Sequence, residues 1–196
     1  VEIKNIRSTG IFIYGANNTV MDGISINNVV LGDGIYVDGN NNVVSNSNVN
    51  STGNNGIRFI SGSNSATGNH VKNASYAGIF TSNYYDTVTG NTVDNSTFYG
   101  IYVQSGSSTV TGNTVLNSAN AGIYVGGFGY STITGNYIEN STINGIEADN
   151  DNTINNNTLW GNPGNGMTIG DSNIVTNNVI DGNNGATDNG IYVIGN

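Results

Sequence analysis

Four acidic residues in the last third of the chain have the spacing of an acid–base or cation site. Glu147 and Asp149 belong to the segment Glu147-Ala148-Asp149-Asn150-Asp151, and Asp171 follows one repeat of the chain later. Residues two apart on a β-strand point to the same side, with Cα atoms roughly 6.5 Å apart. Glu147, Asp149 and Asp171 would suit the acid and base of a glycosidase, and together with Asp151 they would suit calcium. A solvated acidic turn explains the same residues, and we favour it because no other group converges there.

A row of aromatic residues is the second candidate for chemistry. Nine short phrases begin with glycine and an apolar residue, and the third residue of each must point outward on a strand. We call these nine positions the outward row: Phe12, Tyr36, Arg58, Phe80, Tyr102, Tyr124, Glu147, Thr168 and Tyr192. Six are aromatic, which predicts an exposed surface where Tyr36, Phe80, Tyr102 and Tyr124 bind a sugar or a partner. The alternative is that aromatic residues simply suit exposed strands and cover one another.

A sequence repeat with a period of about 22 residues positions these side chains, and we call one repeat a coil. The sequence of 87–93, Thr-Val-Thr-Gly-Asn-Thr-Val, is repeated in full at 109–115. Each coil contains three short pieces with apolar residues at alternate positions, separated by Gly, Asn and Ser. Because such strands cannot bury an apolar face alone, coils must stack in parallel. The sequence therefore predicts one all-β domain over residues 1–196, a parallel β-helix (solenoid) of about nine coils with three strands each.

Asparagine recurs at two positions of the repeat, both at turns beside apolar residues that point inward. The first column consists of Asn69, Asn91, Asn113, Asn136, Asn157 and Asn177, and the second of Asn73, Asn95, Asn117 and Asn140. Stacked asparagines pass amide hydrogen bonds from coil to coil, and asparagine tolerates the left-handed conformation that corners need. We therefore interpret both columns as structural rather than as ligand-binding.

The recurring phrase of residues 109–117, closed by Gly122-Ile123-Tyr124-Val125, resembles the repeats of a known group of proteins. These are the right-handed parallel β-helix proteins of the pectate-lyase-like superfamily, and the phrase is closest to their Asn-rich surface and periplasmic members. The latter include the nitrous-oxide-reductase maturation protein. The resemblance implies a right-handed coil over residues 10–194. It implies little about function, because one fold hosts many activities.

Composition excludes several classes of partner. The net charge is −9 and the basic residues are Lys4, Arg7, Arg58 and Lys72. Phosphate binding needs clustered cations, so we expect neither nucleic acid nor an anionic membrane as a partner. No apolar run has transmembrane length, so we expect no membrane insertion. The absence of cysteine excludes disulfides and thiolate metal sites, and we expect no cofactor other than calcium.

The sequence leaves enzyme activity open and favours a protein that is not an enzyme. A polysaccharide lyase must neutralise a uronate and abstract a proton, and Arg58 and His70 are predicted on different strands that face different directions. The acid pair Glu147 and Asp149 is the only remaining catalytic hypothesis, and it would serve a polysaccharide hydrolase or lyase.

We therefore predict a non-enzymatic structural protein that is extracellular or attached to the cell surface. The strand-like segments at Ile3 and at Ile191-Tyr192-Val193-Ile194 would form uncovered layers, and such edges recruit further chains. The expected partner is a second copy, joined head to tail in a coat, sheath or filament. The alternative for these ends is that the chain is an internal piece of a longer β-helix, whose further coils cover them. The alternative is a polysaccharide-active or carbohydrate-binding β-helix that uses the outward row and Glu147, Asp149 and Asp171.

Overall fold

In the part of the chain that the structure describes, the repeat folds into 26 short strands that wind around one narrow apolar core. A computed structural model describes residues 1–127, 129–183, 185 and 189–195. Three strands in each coil pair in parallel with the same strands of the coils before and after. The predicted fold, a right-handed parallel β-helix of about nine coils, is confirmed. Within the described residues there is no helix of the length and apolarity that a membrane span requires.

The strands, numbered in chain order, form three sheets that run the length of the molecule. Sheet A contains β1 (Glu2–Ile6), β4 (Ser25–Val29), β7 (Asn48–Thr52), β10 (His70–Ala74), β13 (Thr92–Asp94), β16 (Thr114–Leu116), β19 (Tyr137–Glu139), β22 (Thr158–Trp160) and β25 (Val179–Asp181). Sheet B contains β2 (Ile11–Tyr14), β5 (Ile35–Asp38), β8 (Ile57–Phe59), β11 (Ala77–Thr81), β14 (Tyr99–Val103), β17 (Ala121–Val125), β20 (Asn144–Ala148), β23 (Asn165–Ile169) and β26 (Ile191–Val193). Sheet C contains β3 (Val20–Asp22), β6 (Val43–Ser45), β9 (Ser65–Thr67), β12 (Thr87–Thr89), β15 (Thr109–Thr111), β18 (Thr132–Thr134), β21 (Thr153–Asn155) and β24 (Ile174–Thr176).

The core is a column of Val and Ile, and the glycine that opens each sheet B phrase leaves room for it. Ile101 and Val103 of β14 and Val115 of β16 are fully buried. At Gly100 the backbone lies so close to sheet A that an added Cβ would be 2.2 Å from Val115 Cγ1. This glycine is therefore needed for close packing across the coil, and the repeated phrase keeps glycine at this position.

At the corner between sheets C and A, the side-chain amides form a continuous hydrogen-bonded row. Asn113 Oδ1 accepts hydrogen bonds from both the backbone N and the Nδ2 of Asn91, at 2.9 and 3.0 Å. Asn91 Nδ2 also donates to the carbonyl of Ala66, at 2.9 Å. The asparagine row consists of Asn69, Asn91, Asn113, Asn136, Asn157 and Asn178. Each amide in its interior is therefore used as both donor and acceptor.

The last member predicted for this row, Asn177, was wrong by one residue, because the row continues at Asn178. Asn177 is exposed, has a φ of 55° and donates to Asn155 Oδ1, whereas Asn178 accepts from Asn157. Asn177 occupies the left-handed position that Gly112 holds in an earlier coil, where φ is 64°. Because both residues of the pair are asparagine, residue type alone does not separate these positions.

A second inward row, at the corner between sheets B and C, has mixed residue types. The mixed row consists of Asn42, Asn64, Asp86, Ser108, Ser131, Asn152 and Asn173. In each step a side-chain oxygen accepts the backbone N–H of the preceding member, as Asp86 Oδ1 accepts from Asn64 N at 2.7 Å. Serine, aspartate and asparagine all supply such an oxygen, so all three occur.

The second asparagine column lies at the ends of four sheet A strands: Asn73 is inside β10, and Asn95, Asn117 and Asn140 directly follow β13, β16 and β19. Asn73, Asn95, Asn117 and Asn140 have φ between 54° and 58°. Their amides also connect neighbouring coils on the surface, as Asn95 Nδ2 donates to Asn73 Oδ1 at 2.6 Å. The left-handed conformation, which asparagine tolerates, places these residues here.

Both end layers of the described solenoid are open. Strands β1, β2 and β3 lie at one end of the three sheets, and β24, β25 and β26 at the other. Inward positions that are fully buried in the middle coils are exposed here, by 44% at Ile191 and 58% at Val193. Each end therefore presents an unpaired layer of backbone groups and apolar side chains.

Candidate functional site

The strand register of sheet B places all nine residues of the outward row in one line. Tyr102 pairs with Phe80 below and Tyr124 above, and Tyr124 pairs with Glu147. The aromatic residues and the acidic segment, predicted as two separate candidates, are therefore adjacent on one face.

The centre of the outward row is a packed cluster of rings rather than the exposed stripe that was predicted. Phe80 is only 7% exposed, and Tyr102 and Tyr124 are half-buried. The Tyr102 and Tyr124 rings stack with centroids 5.0 Å apart and an angle of 16° between their planes. Tyr99 packs against both, at 4.9 and 5.2 Å. Because the rings stack along the solenoid axis, they present mainly edges and hydroxyl groups to solvent.

The tyrosine hydroxyls of this cluster are held in their neutral form. Burial, followed by the negative charge of Glu147, raises the pKa of Tyr99 to about 12. Burial, followed by the charge of Asp149, raises the pKa of Tyr124 to about 12. Burial also raises the pKa of Tyr102. At neutral pH these phenols therefore act as hydrogen-bond donors and acceptors.

Lower in the same row, Arg58 is held between two aromatic rings. Its guanidinium carbon lies 5.4 Å from the ring centroids of both Tyr36 and Phe80. Its Nη1 is 3.7 Å from Oδ2 of the buried Asp33. His70 lies on sheet A, not on this face. Arg58 is thus part of a structural stack, with its charge balanced inside the protein.

At the other end of the cluster, two carboxylates line a cavity of about 300 Å³. Glu147 Oε2 accepts a hydrogen bond from Asn144 Nδ2 at 3.1 Å. Asp149 Oδ2 accepts from the backbone N of Gly127 at 2.9 Å. The cavity is lined by Gly127, Glu147, Ala148, Asp149, Asn150, Thr168, Ile169, Gly170 and Ile194. The geometry brings Glu147 and Asp149 together at one opening.

The described structure does not bring the four acidic residues predicted as calcium ligands together in one group. Asp171 lies one coil beyond Asn150, whose Oδ1 accepts its backbone N–H at 2.7 Å. Asp151 is an exposed corner residue with φ of 61°. In the described ranges, no three His, Cys, Asp or Glu side chains are grouped so that they could hold a metal ion. Asn144 of the same coil holds Glu147, and Gly127 of the preceding coil holds Asp149, so these hydrogen bonds orient the two carboxylates separately.

Sequence reasoning missed three residues that shape this face. Tyr76 packs edge-on against Tyr102 with centroids 6.4 Å apart, and Asn144 orients Glu147. Gly126 leaves space for Tyr124, because an added Cβ would be 3.0 Å from the Tyr124 hydroxyl and 3.6 Å from Asp149 Oδ2. The signal for Tyr76 was its position one coil before Phe98, another aromatic residue, against which its ring stacks. No pattern in the sequence marked Asn144 or Gly126.

The fold is similar to solved structures of the periplasmic alginate epimerase AlgG. One shares 15% identity over 88% of this chain and 51% of that chain, with a TM-score of 0.65. A double mutant of the enzyme shares 12% identity over 100% of this chain and 56% of that chain, also with a TM-score of 0.65. The chain thus spans about half the length of the epimerase, and at these identities the likeness establishes the fold alone. A search of curated proteins gives no match.

A protein-family model matches residues 1–163, which is most of the chain. The family is described as "Periplasmic copper-binding protein (NosD)". The match agrees with the resemblance that the repeat phrase indicated, and it extends over seven of the coils described above. The chain therefore belongs to the NosD family of parallel β-helix proteins.

Proposed function

We propose that this chain is a non-catalytic structural β-helix of the cell envelope, extended at its ends by further copies or by further coils of a longer chain. The observation that carries the proposal is the pair of open end layers, in which inward apolar residues such as Ile191 and Val193 are exposed. Parallel strands with unpaired edges recruit further strands. A head-to-tail contact of this kind does not close on itself, so it propagates as a filament.

The cell-envelope location is supported by the family description, which is periplasmic. A non-catalytic role is supported by the contacts of the candidate catalytic residues with the rest of the protein. Arg58 is enclosed between Tyr36 and Phe80, and Glu147 and Asp149 each accept a hydrogen bond from their own neighbourhood.

The copper binding of the family description does not fit the donor residues of this chain. Copper favours cysteine, methionine and histidine ligands. The chain has no cysteine and one histidine, His70, whose strand neighbours are Asn48 and Thr92. Its two methionines, Met21 and Met167, are buried in the core. We therefore assign no copper-dependent step to these residues.

Light scattering over a range of concentrations tests the assembly. We expect particle masses that are multiples of the mass of one chain, and filaments in electron micrographs. With nine layers in sheets A and B, the axial repeat should be roughly 40–45 Å. Val193→Lys places a charge in the end layer and should abolish association, whereas Thr109→Lys, on the exposed middle of sheet C, should not. A single-chain particle at every concentration, or association that survives Val193→Lys, would contradict extension by further copies.

A second candidate function is carbohydrate binding on the face of the outward row. The observation that favours it is the position of the tyrosine cluster beside an acid-lined cavity, with Tyr124 paired to Glu147 of the next strand, in a fold that the alginate epimerase also uses. Binding of a glycan panel to the wild type and to Tyr124→Ala, with Thr111→Ala as control, tests this candidate. Loss of binding in Tyr124→Ala alone would support it, and no binding by the wild type would exclude it.

A further inference from the structure

Sheet C carries a regular array of threonines on its outer surface. On strands β9, β12, β15, β18 and β21 the first and third residues point outward, and the middle residue is fully buried. We call the ten outward residues the threonine face: Ser65, Thr67, Thr87, Thr89, Thr109, Thr111, Thr132, Thr134, Thr153 and Asn155. Because these strands pair in register, the side chains repeat roughly every 4.8 Å between strands and roughly every 6.5 Å along each strand.

The threonine face is neutral and its hydroxyls are available. None of its ten residues is charged, although the net charge of the chain is −9. Sheet A, by contrast, carries Lys72, Asp94 and Glu139 in one outward column. The six threonine hydroxyls of β12, β15 and β18 make no hydrogen bond with the part of the chain that the structure describes. Each of them can therefore both donate to and accept from a ligand.

The fold fixes the positions of these side chains before any ligand arrives. Threonine is branched at Cβ, which restricts its χ1 angle. Beneath the face, Val88, Val110 and Ile133 are fully buried. The mixed row and the asparagine row hold the two corners that bound sheet C, as in the bonds of Asp86 and Asn113. A pre-ordered surface loses little conformational freedom when it binds.

We propose that the threonine face binds ice. Each water molecule in ice donates and accepts hydrogen bonds, and a hydroxyl can take either role, whereas a carboxylate only accepts and an ammonium only donates. A neutral array with a fixed repeat in two directions complements a neutral lattice of water molecules. Small-molecule sites and protein interfaces use aromatic and apolar side chains, and the threonine face has neither. The inference is independent of the end layers and of the outward row.

Sheet A of the same coils provides a matched control surface. Its outward column also contains Thr92, Thr114 and Thr158, but Tyr137 interrupts the threonines, and the neighbouring column is the charged one. Thr114 and Thr111 are both partly exposed and lie in the same coil. They differ in that Thr111 belongs to the regular neutral array.

Thermal hysteresis, the gap between the melting and freezing temperatures of an ice crystal in the protein solution, tests the proposal. We expect the wild type to produce a gap and to be enriched in slowly grown ice relative to the remaining liquid. Thr111→Lys places a charged, longer side chain in the centre of the array and should lose most of the gap. Thr89→Lys, one strand away on β12, should do the same. Thr114→Lys should keep the wild-type gap.

The other outcomes would overturn the inference. A wild type that gives no gap and stays in the liquid would exclude ice binding. An equal loss in Thr111→Lys and Thr114→Lys would show that sheet C is not the binding surface. Binding of crystalline cellulose in place of ice, abolished by Thr111→Lys, would assign the face to a polysaccharide surface. Thermal unfolding at the wild-type midpoint shows for each variant that lost binding is not lost folding.

Discussion

The asparagine row and the mixed row lie at two corners of the same coil, and both satisfy backbone N–H groups in the same way. In both, a side-chain oxygen accepts a backbone N–H from the coil before, as Asn113 Oδ1 does for Asn91 and Asp86 Oδ1 does for Asn64. They differ in whether the side chain also donates hydrogen bonds. Asn113 Nδ2 donates both to Val88 O and to Asn136 Oδ1, whereas Asp86 Oδ2 is buried without a hydrogen-bond partner in the described structure.

The difference shows which hydrogen bond the coil requires. A buried backbone N–H must find an acceptor, and any oxygen will serve, so the mixed row accommodates asparagine, aspartate and serine. The asparagine row must also satisfy a strand carbonyl and the next amide, and from Asn69 onward asparagine combines both functions. One coil earlier, Ser47 accepts the Ile24 N–H and donates to the carbonyl of Ser45. The uniformity of one row and the variety of the other follow from this difference.

The largest effect is expected from placing the mixed-row chemistry in the asparagine row. Asn113→Asp would set a carboxylate oxygen against the Val88 carbonyl and Asn136 Oδ1, both of which are acceptors. We expect a loss of about 3 kcal/mol or more in the free energy of unfolding at pH 7. Urea denaturation measures it, and the loss should shrink at pH 4, where the acid is protonated. A near-neutral effect at pH 7 would show that the Nδ2 donor is dispensable.

The converse change should stabilise the protein above neutral pH. Burial raises the pKa of Asp86 to about 7, although the N–H of Asn64 opposes the rise. A folded-state pKa above the unfolded value of 3.8 means that Asp86 stabilises most at low pH, and that this contribution is lost as pH rises through about 7. Asp86→Asn supplies a donor like Asn152 Nδ2, which bonds the carbonyl of Asp149 at 3.1 Å.

We therefore expect Asp86→Asn to be about 1–3 kcal/mol more stable than the wild type at pH 8.5, with a smaller difference at pH 5. Unfolding free energies of both proteins across this range give the answer, and every other titratable group is common to the two. A pH-independent difference would show that the Asp86 carboxylate is not the group that titrates.

Much of the fold could be predicted because every coil meets the same packing requirements with the same residue types at the same positions. The apolar alternation, the opening glycine and the outward row all recur with a period near 22, so their register followed from counting. The mixed row was missed because its residue type varies, although each member directly precedes a sheet C strand, as Asp86 precedes Thr87. The signal was a shared acceptor oxygen rather than a shared residue.

The candidate site was less predictable because it depends on contacts between strands rather than along them. Glu147 and Asp149 could be placed on one side of a strand, but not their hydrogen bonds to Asn144 and Gly127. The exposure of the outward row was overestimated because Tyr76 and Tyr99 pack against it from the side. Such lateral packing has no period in the sequence.

The most direct test of the account is the comparison of Asn113→Ala with Thr111→Ala in chemical denaturation. Asn113 is 1% exposed and bonded to Asn91, Asn136 and Val88, while Thr111 is a partly exposed residue two positions earlier on sheet C. We expect Asn113→Ala to cost about 1–3 kcal/mol and Thr111→Ala less than about 0.5 kcal/mol. Equal midpoints for the two variants would contradict the claim that the inward amide rows hold the coil together.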